Sequence, residues 1–254
     1  MSVTYSGAAP VGTITLDNPP ANSYDIELMR ALASAIADAN GDPTARVVVL
    51  RSASEKFFSA GADVKRFLRN DVDANMDMIR LAHEALASIA RSPKLFVAAI
   101  AGHALGGGLE MALACDLRYA VVGGYKLGTP EVTLGLLPGN GGTQRLPRMI
   151  GQGAALELLL TGRQVGPEEA HGLGIVSGLF ATEDELQAHV ERLAAGPPLA
   201  IAEIKRCVYE GMQTTLEGGL ALERELIERL FRSRDAQEGL TAFSEKRRPE
   251  FVGA

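Results

Sequence analysis

The chain has 254 residues, 46% of them apolar, with 28 glycines, no tryptophan and a formal net charge of −6. That length suits one large domain, or a main domain with a small appendage, and the apolar content can build a core without disulfides or metal. The acidic balance argues against nucleic acid or an anionic membrane as partner, and the only cysteines, Cys115 and Cys207, have no metal-type or redox-type spacing and read as reduced thiols.

In chain order, the opening residues Met1 to Gly7 lack the charged and apolar regions of a signal peptide, so the cytoplasm is the expected location. Gly12 to Leu16 alternates and predicts a strand, stopped by Asn18-Pro19-Pro20. Tyr24 to Asn40 carries Ile26, Leu28, Met29, Leu32 and Ile36 at helical spacing. Val47 to Leu50, wholly apolar and β-branched but for its last residue, predicts a strand covered on both faces. Residues 57 to 64 read as a loop of small residues, and a helix follows over roughly 74 to 91.

Leu95 to Ala101 predicts a second buried strand. The longer run Leu95 to Leu105 is also the best candidate for a membrane span, but Gly102 and His103 break it and three glycines follow, far short of a bilayer's thickness. Gly102 to Gly108 is a glycine-rich turn, and Leu109 to Cys115 a short helix. Strands are expected at Asp116 to Val122 and Tyr125 to Leu127. A second glycine-rich loop, Gly135 to Gly142, precedes a helix near 142 to 150. From Gly153 onward almost everything reads as helix. Strand and helix alternating and then helices alone predict an α/β core with a helical cap or arm, and Pro197-Pro198 marks the boundary of that arm.

Three segments carry chemistry. In Leu105-Gly106-Gly107-Gly108-Leu109-Glu110 a strand runs through three glycines into a helix. The first amides of that helix have no internal partner and can face a developing oxyanion, with Glu110 in the first turn beside them. The competing reading is that Glu110 merely favours the helix dipole. Ser59-Ala60-Gly61-Ala62-Asp63 permits a second close backbone approach, with Asp63 able to cap the next turn. Gly128 to Gly142 holds a single carboxylate, Glu131, in small and apolar surroundings that raise a carboxyl pKa; a surface turn glutamate after Pro130 is the plain alternative. No Gly-x-Ser-x-Gly elbow, phosphate loop or dinucleotide fingerprint is present. His83, His103, His171 and His189 have no ligand spacing, so no metal is expected.

Taken in order, these segments resemble the crotonase, or enoyl-CoA hydratase/isomerase, family. The resemblance runs through Asp17-Asn18-Pro19-Pro20-Ala21-Asn22, Phe58 to Lys65, Gly102 to Ala112, Cys115-Asp116, Pro130-Glu131, Gly139 to Leu146, Thr161-Gly162-Arg163 and Glu245 to Pro249. It implies a spiral of β-β-α turns over residues 1–196, and a helical C-terminal region at 197–254 that builds homotrimers, often paired as dimers of trimers. It implies a thioester oxygen held by the amides of Ala62 and Gly107, catalysis by Glu110 and Glu131, and a water positioned at Gly139. Coenzyme A would enter as part of an acyl-CoA substrate, with no prosthetic group, and would be contacted through Ala60, Asp63, Val64 and Lys246, the last in some relatives from a neighbouring subunit. Both glutamates together favour hydration over double-bond isomerisation; a non-catalytic scaffold on the same fold is the third reading. Asn140 departs from the alanine common at its position.

Overall fold

In the computed structural model, which describes residues 2–254, the apolar run at Val47 forms the middle of the main sheet. Strand β3 (Val47–Ser52) buries its first four residues on both faces, as a strand covered on either side by other layers must. It pairs in parallel with β2 (Val11–Leu16) on one side and with β5 (Leu95–Ile100) on the other. Beyond β5 lies β7 (Leu117–Val121), and beyond that β9 (Gly178–Phe180), both parallel. The opposite edge is β1 (Val3–Ala8), antiparallel to β2.

A second sheet holds only β4 (Phe57–Ser59), β6 (His103–Leu105) and β8 (Leu127–Gly128), in that order and parallel. The chain therefore places β3, β5 and β7 in the large sheet and, each time, the next strand in the small one. Helices follow each pair: α2 (Val64–Arg69) and α3 (Val72–Arg91), then α4 (Gly107–Ala114), then α5 (Gly142–Ile150), α6 (Gln152–Thr161) and α7 (Pro167–Leu173). This is the β-β-α spiral. Parallel neighbours demand a long crossover, and the helices supply it. Helix α1 (Ile26–Gly41) begins where the Asp25 side chain accepts from Leu28 N, and buries Leu28, Met29, Leu32 and Ile36 along one stripe. Each such side chain contributes about 1.5–3 kcal/mol of transfer free energy.

The expected strands and helices of the core are found with small shifts at their ends. The differences are instructive. Residues 57 to 64 are not only a loop, because β4 occupies the first three. The glycine turn at 102 to 108 contains β6. The late region is not purely helical, since β9 returns to the edge of the main sheet, and β1 precedes the first strand expected. All four are short or largely exposed, so none carries a readable apolar period.

After α8 (Glu183–Ala194), helices α9 (Pro198–Gly211), α10 (Leu216–Phe231) and α11 (Arg234–Glu245) complete the chain. Lys205 of α9 is buried and fastens this region to the core. Its ammonium lies 2.8 Å from Asp116 Oδ2 and donates to the carbonyls of Ile89 and Lys94 at 2.7 and 2.8 Å. Asp116 also accepts from Phe96 N and from the Tyr209 hydroxyl. A buried ion pair stands only when its remaining donors and acceptors are met, as they are here. Ile204, Val208, Leu216, Phe231 and Phe243 lie exposed on the same helices. Cys115 is buried and Cys207 half-buried, and both are free thiols. Among the described residues no helix is long and apolar enough to cross a membrane.

Candidate active site

The small sheet delivers all three chemistry-bearing segments to one place, because β4, β6 and β8 run parallel and their C-terminal ends open side by side. The first is the Ala60–Asp63 loop. Its main chain pairs with the segment before α1: Tyr24 N donates to Gly61 O, and Asp63 N donates to Tyr24 O, each at 2.9 Å. Ala62 is bridged to Tyr24 in parallel fashion. In that arrangement the neighbours of Ala62 make the bonds, so the Ala62 amide faces the other way and stays available. Buried Asn22 braces the loop from behind, donating to Ser52 Oγ and Phe58 O. The Asp63 carboxylate caps α2, accepting from Lys65 N and Arg66 N.

The second segment is the start of α4. Gly106 adopts φ 54° and ψ −131°, backbone that only glycine reaches without strain, and it turns the chain so that the Gly107 amide opens the helix. No side chain caps α4. A Cβ on Gly61 would lie 3.3 Å from Gly107 N, so the two loops that carry Ala62 and Gly107 are in close approach.

The third segment follows β8. Thr129 leads into a 3₁₀ turn, Pro130–Leu134, which aims Glu131 back at the first glycine turn: a Cβ on Gly106 would stand 2.7 Å from Glu131 Oε1. The chain then loops through Pro138 to Gly142 and meets Glu110. That side chain does not serve its own helix. Glu110 Oε1 accepts from Asn140 N at 2.8 Å and from Gly142 N at 2.7 Å. Arg145 donates to Asn140 O at 2.8 Å, and His83 Nε2 lies 2.6 Å from Gly139 O. Since a carbonyl only accepts, Nε2 carries the proton.

The electrostatics separate the two carboxyls. Glu110 is 1% exposed. Burial raises its pKa, while the Gly142 and Asn140 amides and the Arg145 charge oppose the rise. Glu131 is pushed up to about 7, chiefly by burial, with the Glu110 charge adding to the rise. Its Oε2 is buried without a hydrogen-bond partner, as are Thr129 Oγ1 and Asn140 Oδ1. A carboxyl that keeps a proton near neutrality beside one held by two amides can serve as acid and base at one centre.

The structure thus brings the loop of Ala60, Ala62 and Asp63 against Gly107, Glu131 against the turn at Gly106, and the loop that follows Gly139 onto Glu110, with Val64 opening α2 beyond the first loop. Lys246 is not among them: it ends α11 in the left-handed conformation with φ 56°, exposed. Asn140 turns inward and its amide Nδ2 donates to the Tyr24 hydroxyl at 2.6 Å. Neither Tyr24 nor His83 carries a sequence signal that marks it as a site residue. In the sequence Tyr24 reads as the start of a helix, and His83 as one of four scattered histidines. His103, at the edge of the glycine turn, is structural: its Nδ1 accepts from Lys126 N and its ring rests on Phe57.

Comparison with known proteins places the chain as a whole. The model of the family described as enoyl-CoA hydratase/isomerase matches residues 6–254. The chain is 41% identical over 245 residues to the putative enoyl-CoA hydratase/isomerase YngF of Bacillus subtilis (strain 168), covering 94% of each. It is 39% identical over 249 residues to a probable enoyl-CoA hydratase of the same strain, covering 96% of this chain and 95% of that one. Among solved structures, an enoyl-CoA hydratase from Bacillus anthracis superposes with a TM-score of 0.94 at 35% identity, covering 100% of both chains. One from Geobacillus kaustophilus HTA426 superposes with a TM-score of 0.96 at 40% identity, covering 100% of this chain and 97% of that one.

Proposed function

This chain belongs to the enoyl-CoA hydratase/isomerase family, and from that premise we propose that it is a 2-enoyl-CoA hydratase, adding water reversibly across the double bond of an unsaturated CoA thioester. The observation that carries the reading is the pairing of Glu110, held by two amides, with Glu131, raised to about 7, over the junction of the two glycine-rich turns.

The chemistry follows from the arrangement. The thioester oxygen is gripped by the amides of Ala62 and Gly107, whose hydrogen bonds strengthen as negative charge moves onto oxygen. Losing one preorganised donor of this kind costs roughly 3–4 kcal/mol in other enzymes. Polarisation makes the β-carbon electrophilic. Glu110 takes a proton from the water that attacks it, and protonated Glu131 delivers a proton to the α-carbon. The backbone at Gly139 positions that water. Each turnover leaves Glu110 protonated and Glu131 ionised, so a proton must pass between them before the next. The pair titrates as a unit, and the roles are those of one microstate.

Coenzyme A enters as part of the substrate, and no prosthetic group is invoked. Its contacts are assigned to Ala60, Asp63, Val64 and Lys246. The Asp63 carboxylate is spent on the α2 cap and its amide on Tyr24 O, so its contribution is to hold the contacting loop in place. Lys246 is assigned to the phosphate end of coenzyme A, presented from its own or a neighbouring subunit. The latter suits a homotrimer or dimer of trimers assembled through residues 197–254, whose helices carry the exposed apolar side chains. The cytoplasm is the proposed location.

Turnover of a short trans-2-enoyl-CoA in water enriched in heavy oxygen tests the reading. The label is expected in a 3-hydroxyacyl product. Migration of the double bond without label would identify an isomerase instead.

A further inference from the structure

We propose that Tyr24 is a positioning residue for this reaction, tying the two amides that grip the thioester oxygen to the loop that holds Glu110, with Asn140 as its partner. The inference rests on the reaction assigned above. Three contacts of one residue carry it.

Its main chain is the strand partner of the Gly61–Asp63 segment, so Tyr24 sets the direction of the Ala62 amide. Its ring, 3% exposed, lies against the start of α4: a Cβ on Gly107 would stand 2.1 Å from the Tyr24 hydroxyl oxygen and 2.5 Å from Cε1. The hydroxyl in turn accepts from Asn140 Nδ2 at 2.6 Å. The main chain of Asn140 does the rest, since its N–H donates to Glu110 Oε1 and its carbonyl accepts from Arg145. A single phenol thereby sets the spacing between both oxygen-gripping loops and the base.

An apolar pair of similar volume at 24 and 140 would fill this space without burying polar atoms. Asn140 Oδ1 is already buried unpaired, and unmet polar groups in such a place are costly. The polar couple is therefore a device for geometry and not for packing. Which amide atom faces the phenol does not alter this. With Nδ2 or with Oδ1 toward Tyr24, one hydrogen bond joins the pair. Burial and the charges of Glu110 and Glu131 raise the phenol's pKa, so it stays protonated while the carboxyls titrate.

The test is a double-mutant cycle on the intact protein with a short 2-enoyl-CoA. Tyr24→Phe and Asn140→Ala should each lower kcat about ten- to a hundredfold, with KM within about threefold. The double variant should be no slower than Tyr24→Phe alone, because the two act through one contact. A second readout needs no turnover: 4-(dimethylamino)cinnamoyl-CoA bound to the parent should absorb to the red of the free thioester as the two amides polarise it, and the shift should shrink in Tyr24→Phe. Losses that multiply in the double variant, a KM that rises as kcat falls, or an unchanged red shift would overturn the proposal. Should Tyr24→Phe fail to fold, Asn140→Ala decides alone, and full kcat there overturns it. If the parent incorporates no heavy oxygen, the reaction has been misread, whereas the red shift still reports on the positioning.

Discussion

The two glycine-rich turns that meet at the site are held in opposite ways. The turn before α4 is locked into the core. Every residue of that helix is buried, Gly107 rests on the Tyr24 ring and Gly108 on the carbonyl of Ser59. The Pro130–Gly142 loop lies near the surface, with Leu134, Leu136 and Leu137 exposed. It is fixed by a few polar contacts: two amides on Glu110, Asn140 Nδ2 on the Tyr24 hydroxyl, Arg145 on Asn140 O and His83 on Gly139 O. The wall assigned to the substrate oxygen is closely packed, while the loop that carries Glu131, the proposed proton donor, hangs from hydrogen bonds. Changes to the first should break the fold, and changes to the second should break the rate.

The largest effect expected is Glu131→Gln. It removes the proposed proton donor but keeps the shape, so kcat should fall about a thousandfold with KM little changed. The unfolding temperature should hold or rise, since a buried ionisable group is gone. Steady-state kinetics and calorimetry on one preparation check both halves. A parallel loss of binding would make Glu131 structural and dissolve the contrast.

Gly108→Ala should do the reverse. Its Cβ would fall 2.3 Å from Ser59 O, and main chain cannot swing aside. Overpacking of this kind should cost about 3 kcal/mol in urea unfolding. An unaffected midpoint would show that the packed wall yields.

The pH dependence sharpens the comparison next. Glu131 sits at about 7 in the folded chain against an ordinary 4.5, so the folded state binds this proton more tightly than the unfolded one. Its contribution to stability is complete below 4.5 and is lost as pH climbs through about 7. The parent should therefore lose stability relative to Glu131→Gln between those values. Its kcat/KM for hydration should also fall above about pH 7, where the donor is ionised. A constant stability difference across that range would contradict the assignment.

The smallest effect belongs to His83→Ala. It deletes one exposed hydrogen bond to Gly139 O, worth about 1 kcal/mol at most, so kcat should drop only about threefold. A far larger loss would mean the loop depends on this single strut.

The same division governs what the amino-acid order revealed. The buried strands at Val47 and Leu95 and the helices at Ile26 and Val72 declare themselves because burial imposes a period. The glycine turns declare themselves because only certain residues fit them. The small sheet does not, since strands of two or three residues show no period. Nor does the Tyr24–Asn140 contact, which joins positions 116 residues apart. The resemblance to a known family supplied the spiral and the pairing of Glu110 with Glu131, which periodicity alone left as two unrelated acids. That Glu110 would be held by amides from the opposite loop, and not by its own helix, needed coordinates.

Strand β9 has a consequence for the chain as it leaves the ribosome. Its partner β7 ends at Val121, yet the three residues that cover its outer edge, Gly178–Phe180, are made nearly sixty residues later. Until they emerge, a row of unpaired amides and carbonyls stands open at the flank of a half-built sheet, able to accept a strand from another nascent chain. Synthesis slowed between those two points should therefore raise the demand for chaperones more than the same delay placed after Phe180.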